Sequence, residues 1–266
     1  MGINVLAPFV AFGNTATSNV INGTYISGTI STGSISLTAD SIPYVLGATS
    51  VSSGATLSID SGAIIKFATS TTRLTVNGVL DVNGTTQSPV YFTSLKDDSA
   101  GGDTNNDGGS SGSAYDWKDI YINNNGIANI DHAITRYGSS NGGTNNGANI
   151  YNYNGTLDLI NSTVSNGYYG VWQGSSTANS TISSSVISNN NKYGLYAQNG
   201  SANFSVSNSS IDKGNKYYGL FATYAPDVYA QYNWWGDASG PYPFGSGATV
   251  SSHVDYSNAL TSTPVW

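Results

Sequence analysis

The sequence has no cysteine, a single methionine at position 1, and 15 acidic residues that are all aspartate, with no glutamate anywhere. Arginine occurs only at Arg73 and Arg136. Without cysteine there is neither a disulfide framework nor a thiolate metal site. Without glutamate, and with little lysine, arginine and methionine, the ordinary helix formers are missing. This excludes an all-α protein and argues against an α/β one. Charged residues make up 9% of the chain and the formal net charge is −7, so no basic face is expected to neutralise nucleic-acid phosphates. No apolar run reaches the roughly 18 residues that a membrane-spanning helix needs. Met1–Val10 is apolar, but it has no basic n-region and no small-residue cleavage site, so it does not read as a signal peptide.

What is present favours strands and turns. There are 32 Gly and 19 Tyr among 266 residues, with abundant Asn, Ser, Thr, Val and Ile. Hydrophobic content of 38% over this length can bury a long core, and the aromatic and β-branched content argues against disorder.

Self-similarity organises the second half of the chain. Tyr169-Gly170-Val171-Trp172, Tyr193-Gly194-Leu195-Tyr196 and Tyr218-Gly219-Leu220-Phe221 read alike, with Ala148-Asn149-Ile150-Tyr151 as a weaker copy upstream. Between them a second pattern repeats around Val164, Ile187 and Ile211. Two short strands per repeat of about 21–25 residues, separated by Asn/Gly/Ser turns, suit a parallel β-solenoid of roughly seven to nine coils. A β-sandwich also shows short strands with regular turns, but it does not require a period of sequence identity. The first half agrees with the solenoid. Ala55–Phe67, Leu74–Thr85 and Pro89–Ser94 each alternate with period two and close on Gly or Asn-Gly.

The run Thr56–Ser94, the loop Gly101–Gly108, Asp116-Trp117-Lys118-Asp119-Ile120 and the run Asn233-Trp234-Trp235-Gly236-Asp237-Ala238-Ser239-Gly240-Pro241 carry a resemblance. Across about residues 43–260 the chain resembles right-handed parallel β-helix proteins of bacterial surfaces, a group of secreted, adhesin-like chains. The resemblance implies an all-β fold, a single right-handed parallel β-helix, in an extracellular or cell-surface setting. It implies no activity. The expected organisation is an N-terminal β cap or assembly segment at 1–42, the β-helix at 43–243 with a loop insertion at about 96–115, and a C-terminal cap at 244–266.

Two groups of residues are candidates for function. Asp103, Asn105 and Asp107 stand at positions 1, 3 and 5 of an EF-hand-like loop, with Gly108 at position 6. That spacing lets oxygen ligands converge on calcium. The closing glutamate is absent and position 12 is Ala114, so Asp97, Asp98 or Asp116 would complete the set. The expected role is structural, and a solvated Asp/Asn/Gly turn is the plainer reading. The second group is an aromatic stripe. If Ile150, Val171, Leu195 and Leu220 point inward, then Tyr151, Trp172, Tyr196 and Phe221 point outward at equivalent places on successive coils. Such a stripe suits stacking on sugar rings, although outward aromatics also stabilise one another. Trp234 and Trp235 are expected to cap the core.

Enzymatic signals are weak. The Gly-His-Gly and Arg-Ile-Lys runs of β-helix pectin hydrolases are missing, as is a Gly-x-Ser-x-Gly elbow. Asp131, His132 and Arg136 are the nearest approach to an acid–base set. The leading expectation is therefore a non-catalytic surface module that binds polysaccharide or a cell-surface glycan. The alternatives are a subunit that assembles with copies of itself, through Ile3–Phe12 or its open ends, and a polysaccharide lyase or hydrolase.

Overall fold

Alternation of side chains within short strands decides the architecture, because each strand sends one set of residues inward and the other outward. The computed structural model describes residues 13–139, 147–199, 203–224 and 226–266. Among these the regular structure consists of strands, with no helix, and every strand pairing is parallel. A sandwich of antiparallel sheets does not fit that register.

The strands form three parallel ladders. One runs from Gly33–Leu37 through Ala55–Asp60, Val79–Asn83, Ile127–Asp131, Thr156–Ile160, Asn179–Ser183 and Phe204–Ser207 to Val228–Tyr229 and Val254–Asp255. A second joins Ile64–Phe67, Val90–Ser94, Ala133–Arg136, Thr163–Ser165, Val186–Ser188 and Ser210–Ile211. The third joins Arg73–Val76, Asp119–Ile122, Ile150–Asn152, Tyr169–Gln173, Tyr193–Ala197 and Tyr218–Ala222. The long strand Tyr44–Val51 bridges the last two: Leu46 aligns with Phe67, while Val51 aligns with Val76. From Ala133 onward the chain visits the second, third and first ladders in turn and then repeats the circuit. The longest circuit holds the loop at about 95–118, between Ser94 and Asp119.

Strands Thr24–Ile30 and Gly33–Leu37, in the segment expected as an N-terminal cap, stand at the beginning of these ladders, paired with Tyr44–Val51 and Ala55–Asp60. The expected assembly segment Ile3–Phe12 lies outside the described residues.

Inward columns fill one continuous core. Leu57, Leu80, Ala128 and Leu157 align on one ladder, Val164, Ile187 and Ile211 on another, and Ile120, Ile150, Val171, Leu195 and Leu220 on the third. All are buried. Trp117 stacks on Phe67 at 3.9 Å between ring centroids and donates its indole N–H to the Arg136 carbonyl at 2.9 Å, anchoring the loop's far end. Trp235 joins the core near the C-terminal end, as expected, and Trp234 beside it is half-buried.

The corners explain the asparagine content. His132, Asn161, Ser184 and Asn208 follow one another at equivalent corners with φ of 50°, 50°, 47° and 49°. A second column holds Asn166 and Asn189, both at φ 54°. This left-handed region disfavours most side chains and tolerates Asn. Inside the corners, buried polar groups bond upward along the stack. Ser162 N–H donates to Ser185 Oγ, Ser185 N–H to Ser209 Oγ and Ser209 N–H to Asn233 Oδ1. Asn190 Nδ2 donates to Asn215 Oδ1 at 2.9 Å. Backbone and side-chain donors thus share the work of satisfying a polar interior.

Candidate functional site

The third ladder carries the aromatic face. Its outward column reads Thr75, Tyr121, Tyr151, Trp172, Tyr196, Phe221 in register. The rings touch in series: Tyr151 stacks on Trp172 at 4.3 Å, Trp172 on Tyr196 at 5.3 Å, and Tyr196 meets Phe221 at 5.8 Å. The four residues expected as an outward stripe are therefore brought together, outside the main core. Their exposure is uneven. Trp172 is 2% exposed and Tyr151 9%, whereas Tyr196 and Phe221 are half-buried. Burial lifts the phenol pKa of Tyr151 and of Tyr196, so both remain neutral at physiological pH.

A second aromatic column was not foreseen. Tyr169, Tyr193 and Tyr218 align with one another and interleave with the first column: Tyr169 stacks on Tyr196 at 5.5 Å and Tyr193 on Phe221 at 4.8 Å. Strict alternation would put these tyrosines on the inward side with Val171, but at the first position of each strand they are half-buried and their rings meet those of the outward column. The intervening glycine lies where there is no room for a side chain. A Cβ on Gly194 would lie 2.7 Å from the Gly219 carbonyl oxygen and 2.8 Å from Asn215 Nδ2. The signal was present as the Tyr at the first position of the repeated Tyr-Gly-x-aromatic segment.

Cations edge this face. Lys192 Nζ donates to Tyr169 Oη at 3.0 Å and lies 5.1–5.4 Å from the ring centroids of Tyr168, Tyr169 and Tyr193. Burial works against its charge, but the bond to Tyr169 and the surrounding tyrosines outweigh it and raise its pKa. Arg73 lies 3.9 Å over the Tyr121 ring and forms a two-pronged pair with the buried Asp119, at 2.5 and 2.7 Å.

The acidic loop gathers only part of the expected ligand set. Carboxylate oxygens of Asp98, Asp103 and Asp107 lie within 4.8 Å of one another. Asn105 sits beside them, donating to Asp107 Oδ2 at 2.6 Å. Asp98 Oδ1 and Asn105 Oδ1 are enclosed and have no hydrogen-bond partner among the described residues. Asp97 and Asp116 are committed elsewhere. Asp97 accepts from Thr93, Ser99 and Arg136, which together hold its pKa down against its own burial. Asp116 accepts from Ser94, Ser113 and Lys96. Beneath the loop, the fully enclosed Lys66 donates to the Gly102 carbonyl at 2.9 Å.

The acid–base set does not assemble. Arg136 is turned to Asp97, away from the pair formed by Asp131 and His132. His132 Nδ1 lies 2.6 Å from Asp131 Oδ1, and Nε2 lies 3.1 Å from Thr86 Oγ1, beside a cleft of ≈220 Å³ that Trp266 also lines. No family model, curated protein or solved structure matches the chain.

Proposed function

We propose that this chain is a non-catalytic, extracellular or cell-surface parallel β-helix that binds glycan along its aromatic face. Three parallel ladders visited in rotation, with equivalent residues aligned circuit after circuit, support the solenoid reading. A right-handed path is the hand that parallel crossovers take almost without exception. The resemblance to bacterial surface β-helices supports the extracellular setting.

The observation that carries the binding reading is the two interleaved ring columns on one ladder. Their buried half, Tyr151 and Trp172, makes a rigid base. The partly open half offers Tyr193, Tyr196, Tyr218 and Phe221, with Tyr217 and Tyr224 55% and 62% exposed beside them. Flat faces fixed by their neighbours lose little entropy when a sugar ring stacks on them, which favours binding. The platform thus centres on the later circuits rather than on the whole stripe.

The test is retention on a glycan array and on insoluble polysaccharides. Tyr196→Ala with Phe221→Ala should weaken binding at least about tenfold, roughly 1.4 kcal/mol, with an unchanged far-ultraviolet circular dichroism spectrum. A wild-type chain that binds nothing across a broad panel overturns the reading.

The acidic loop supports a separate structural role for calcium, through Asp98, Asp103, Asn105 and Asp107. The enclosed, unbonded oxygens of Asp98 and Asn105 favour it, since acceptors of that kind call for a partner.

A further inference from the structure

We infer that the glycan taken by the aromatic face is anionic, with sugars that carry carboxylate or sulfate groups. The inference rests on the glycan reading above and adds the chemical class of the ligand to it.

The charge of the protein is sorted between ladders. The strands beginning at Gly33–Leu37 and ending at Val254–Asp255 contain Asp60, Asp81, Asp131, Asp158 and Asp255 and no lysine or arginine. All five aspartates are half-buried or exposed. Across the aromatic ladder the sign reverses. From Ile150 to Ala222 its four strands hold no acid, and Lys192 and Lys216 stand at the corners just before two of them. The one acid in the ladder, Asp119, is buried and already paired with Arg73. In a chain of net charge −7, these four strands thus carry no acid of their own, and the exposed Asp212 stands in the turn before Lys216.

Neither lysine is committed to a carboxylate. Among the described residues no carboxylate lies within ion-pair distance of either, in contrast to Lys96, Lys213, Arg73 and Arg136. They sit on neighbouring circuits, because the Tyr217 N–H donates to the Lys192 carbonyl at 2.9 Å. Lys216 is exposed, with its Nζ 5.5 Å from the Tyr217 ring. Lys192 is held in place by Tyr169. The Lys192 ammonium borders the partly open ring of Tyr193, and the Lys216 ammonium lies beside Tyr217, which directly precedes Tyr218. A sugar stacked there presents its substituents sideways, toward the lysines. A neutral glycan would offer neither lysine a carboxylate or sulfate, whereas an acidic one gives each a charge-assisted partner.

The experiment compares one backbone in two charge states: cello-oligosaccharides, and the same chains oxidised at C6 to glucuronate, with C6-sulfated chains as a third arm. Binding of the intact protein is measured by calorimetry at low and at 0.5 M salt. The expected result is at least tenfold tighter binding to the oxidised or the sulfated chains, lost in high salt. Lys216→Gln, an exposed change that folding tolerates, and Lys192→Gln with Lys216→Gln should bring charged and neutral affinities together. Preference for one anionic arm alone names the acid group and supports the inference. Equal binding of charged and neutral chains overturns the inference while leaving glycan binding intact. If the oxidised chains are refused and other neutral glycans are retained on the array, the inference also falls. Binding of no glycan in any arm or on the array removes both readings.

Discussion

Arg73 and Asp119 form a closed pair at the head of the aromatic ladder: two nitrogens of the guanidinium meet both carboxylate oxygens, and the same guanidinium covers Tyr121. Asp119 is fully buried. Burial tends to raise its pKa, and Arg73 opposes that. Removing one partner leaves an uncompensated charge, so Arg73→Ala should cost about 3–5 kcal/mol. Replacing both by Leu should recover most of the loss. Urea denaturation of the three proteins checks this; if the single and double variants are equally destabilised, packing against Tyr121 matters more than charge.

Lys66 poses the opposite problem, an amine enclosed with a single carbonyl partner at 2.9 Å. Desolvation by burial lowers its pKa to about 8, although Asp97, Asp98 and Asp103 pull it upward. The unfolded chain binds this proton up to pH of roughly 10.4, so between about 8 and that value the unfolded state holds more protons than the native one. Stability from this group therefore rises with pH across that window. The full range corresponds to about 3 kcal/mol as an upper bound. Lys66→Met should be more stable than wild type at pH 7, and the difference should shrink toward pH 10. Thermal melts of the pair at pH 7, 8.5 and 10 read it; a constant difference would show that the native amine keeps its ordinary affinity for protons.

Much of the fold was legible because a repeating strand writes its register into the sequence. Val171, Leu195 and Leu220 had to be equivalent once Tyr-Gly-x-aromatic recurred, and the ladder pairs them. Residues 24–37 were harder, since their strands pair without repeating the later motif. Outward direction was legible for Trp172, but its burial was not, because that depends on the Tyr151 and Tyr196 rings of neighbouring circuits closing over it. The same limit applied to the acidic loop. Spacing along the chain put Asp103, Asn105 and Asp107 together, but only the folded path shows Asp98 beside them and Asp97 held by Arg136.

The corner asparagines offer a conformational test that involves no core packing. Asn208 is exposed at φ 49°, and Ser184 stands at the equivalent corner at φ 47°. An L-residue other than Asn loses roughly 1–2 kcal/mol in this region. Asn208→Ala should lose about 1 kcal/mol and Asn208→Gly less, while Ser184→Asn should gain a few tenths. Equilibrium unfolding ranks them; Asn208→Ala as stable as Asn208→Gly would mean that the corner relaxes out of the left-handed region.

Calcium at the acidic loop would stabilise the native chain by mass action, because the unfolded chain lacks the site. Asp98, Asp103 and Asp107 supply three carboxylates, and Asn105 an amide oxygen, from a loop that also rests on Lys66. The ammonium beneath the cluster opposes a cation, which places the affinity in the weak range of extracellular modules, about 10⁻⁴–10⁻³ M. At 10 mM calcium the gain is then about 1.4–2.7 kcal/mol, or a rise of roughly 3–10 °C in the melting midpoint for a chain of this size. Magnesium, which demands shorter and more regular coordination, should do less. Asp98→Asn with Asp103→Asn should abolish the shift, and Lys66→Met should enlarge it by removing the competing charge. A midpoint that ignores calcium in the wild type and in Lys66→Met would identify the cluster as a hydrogen-bonded turn, with Asp103 accepting from the Asp107 and Gly108 amides as its whole purpose.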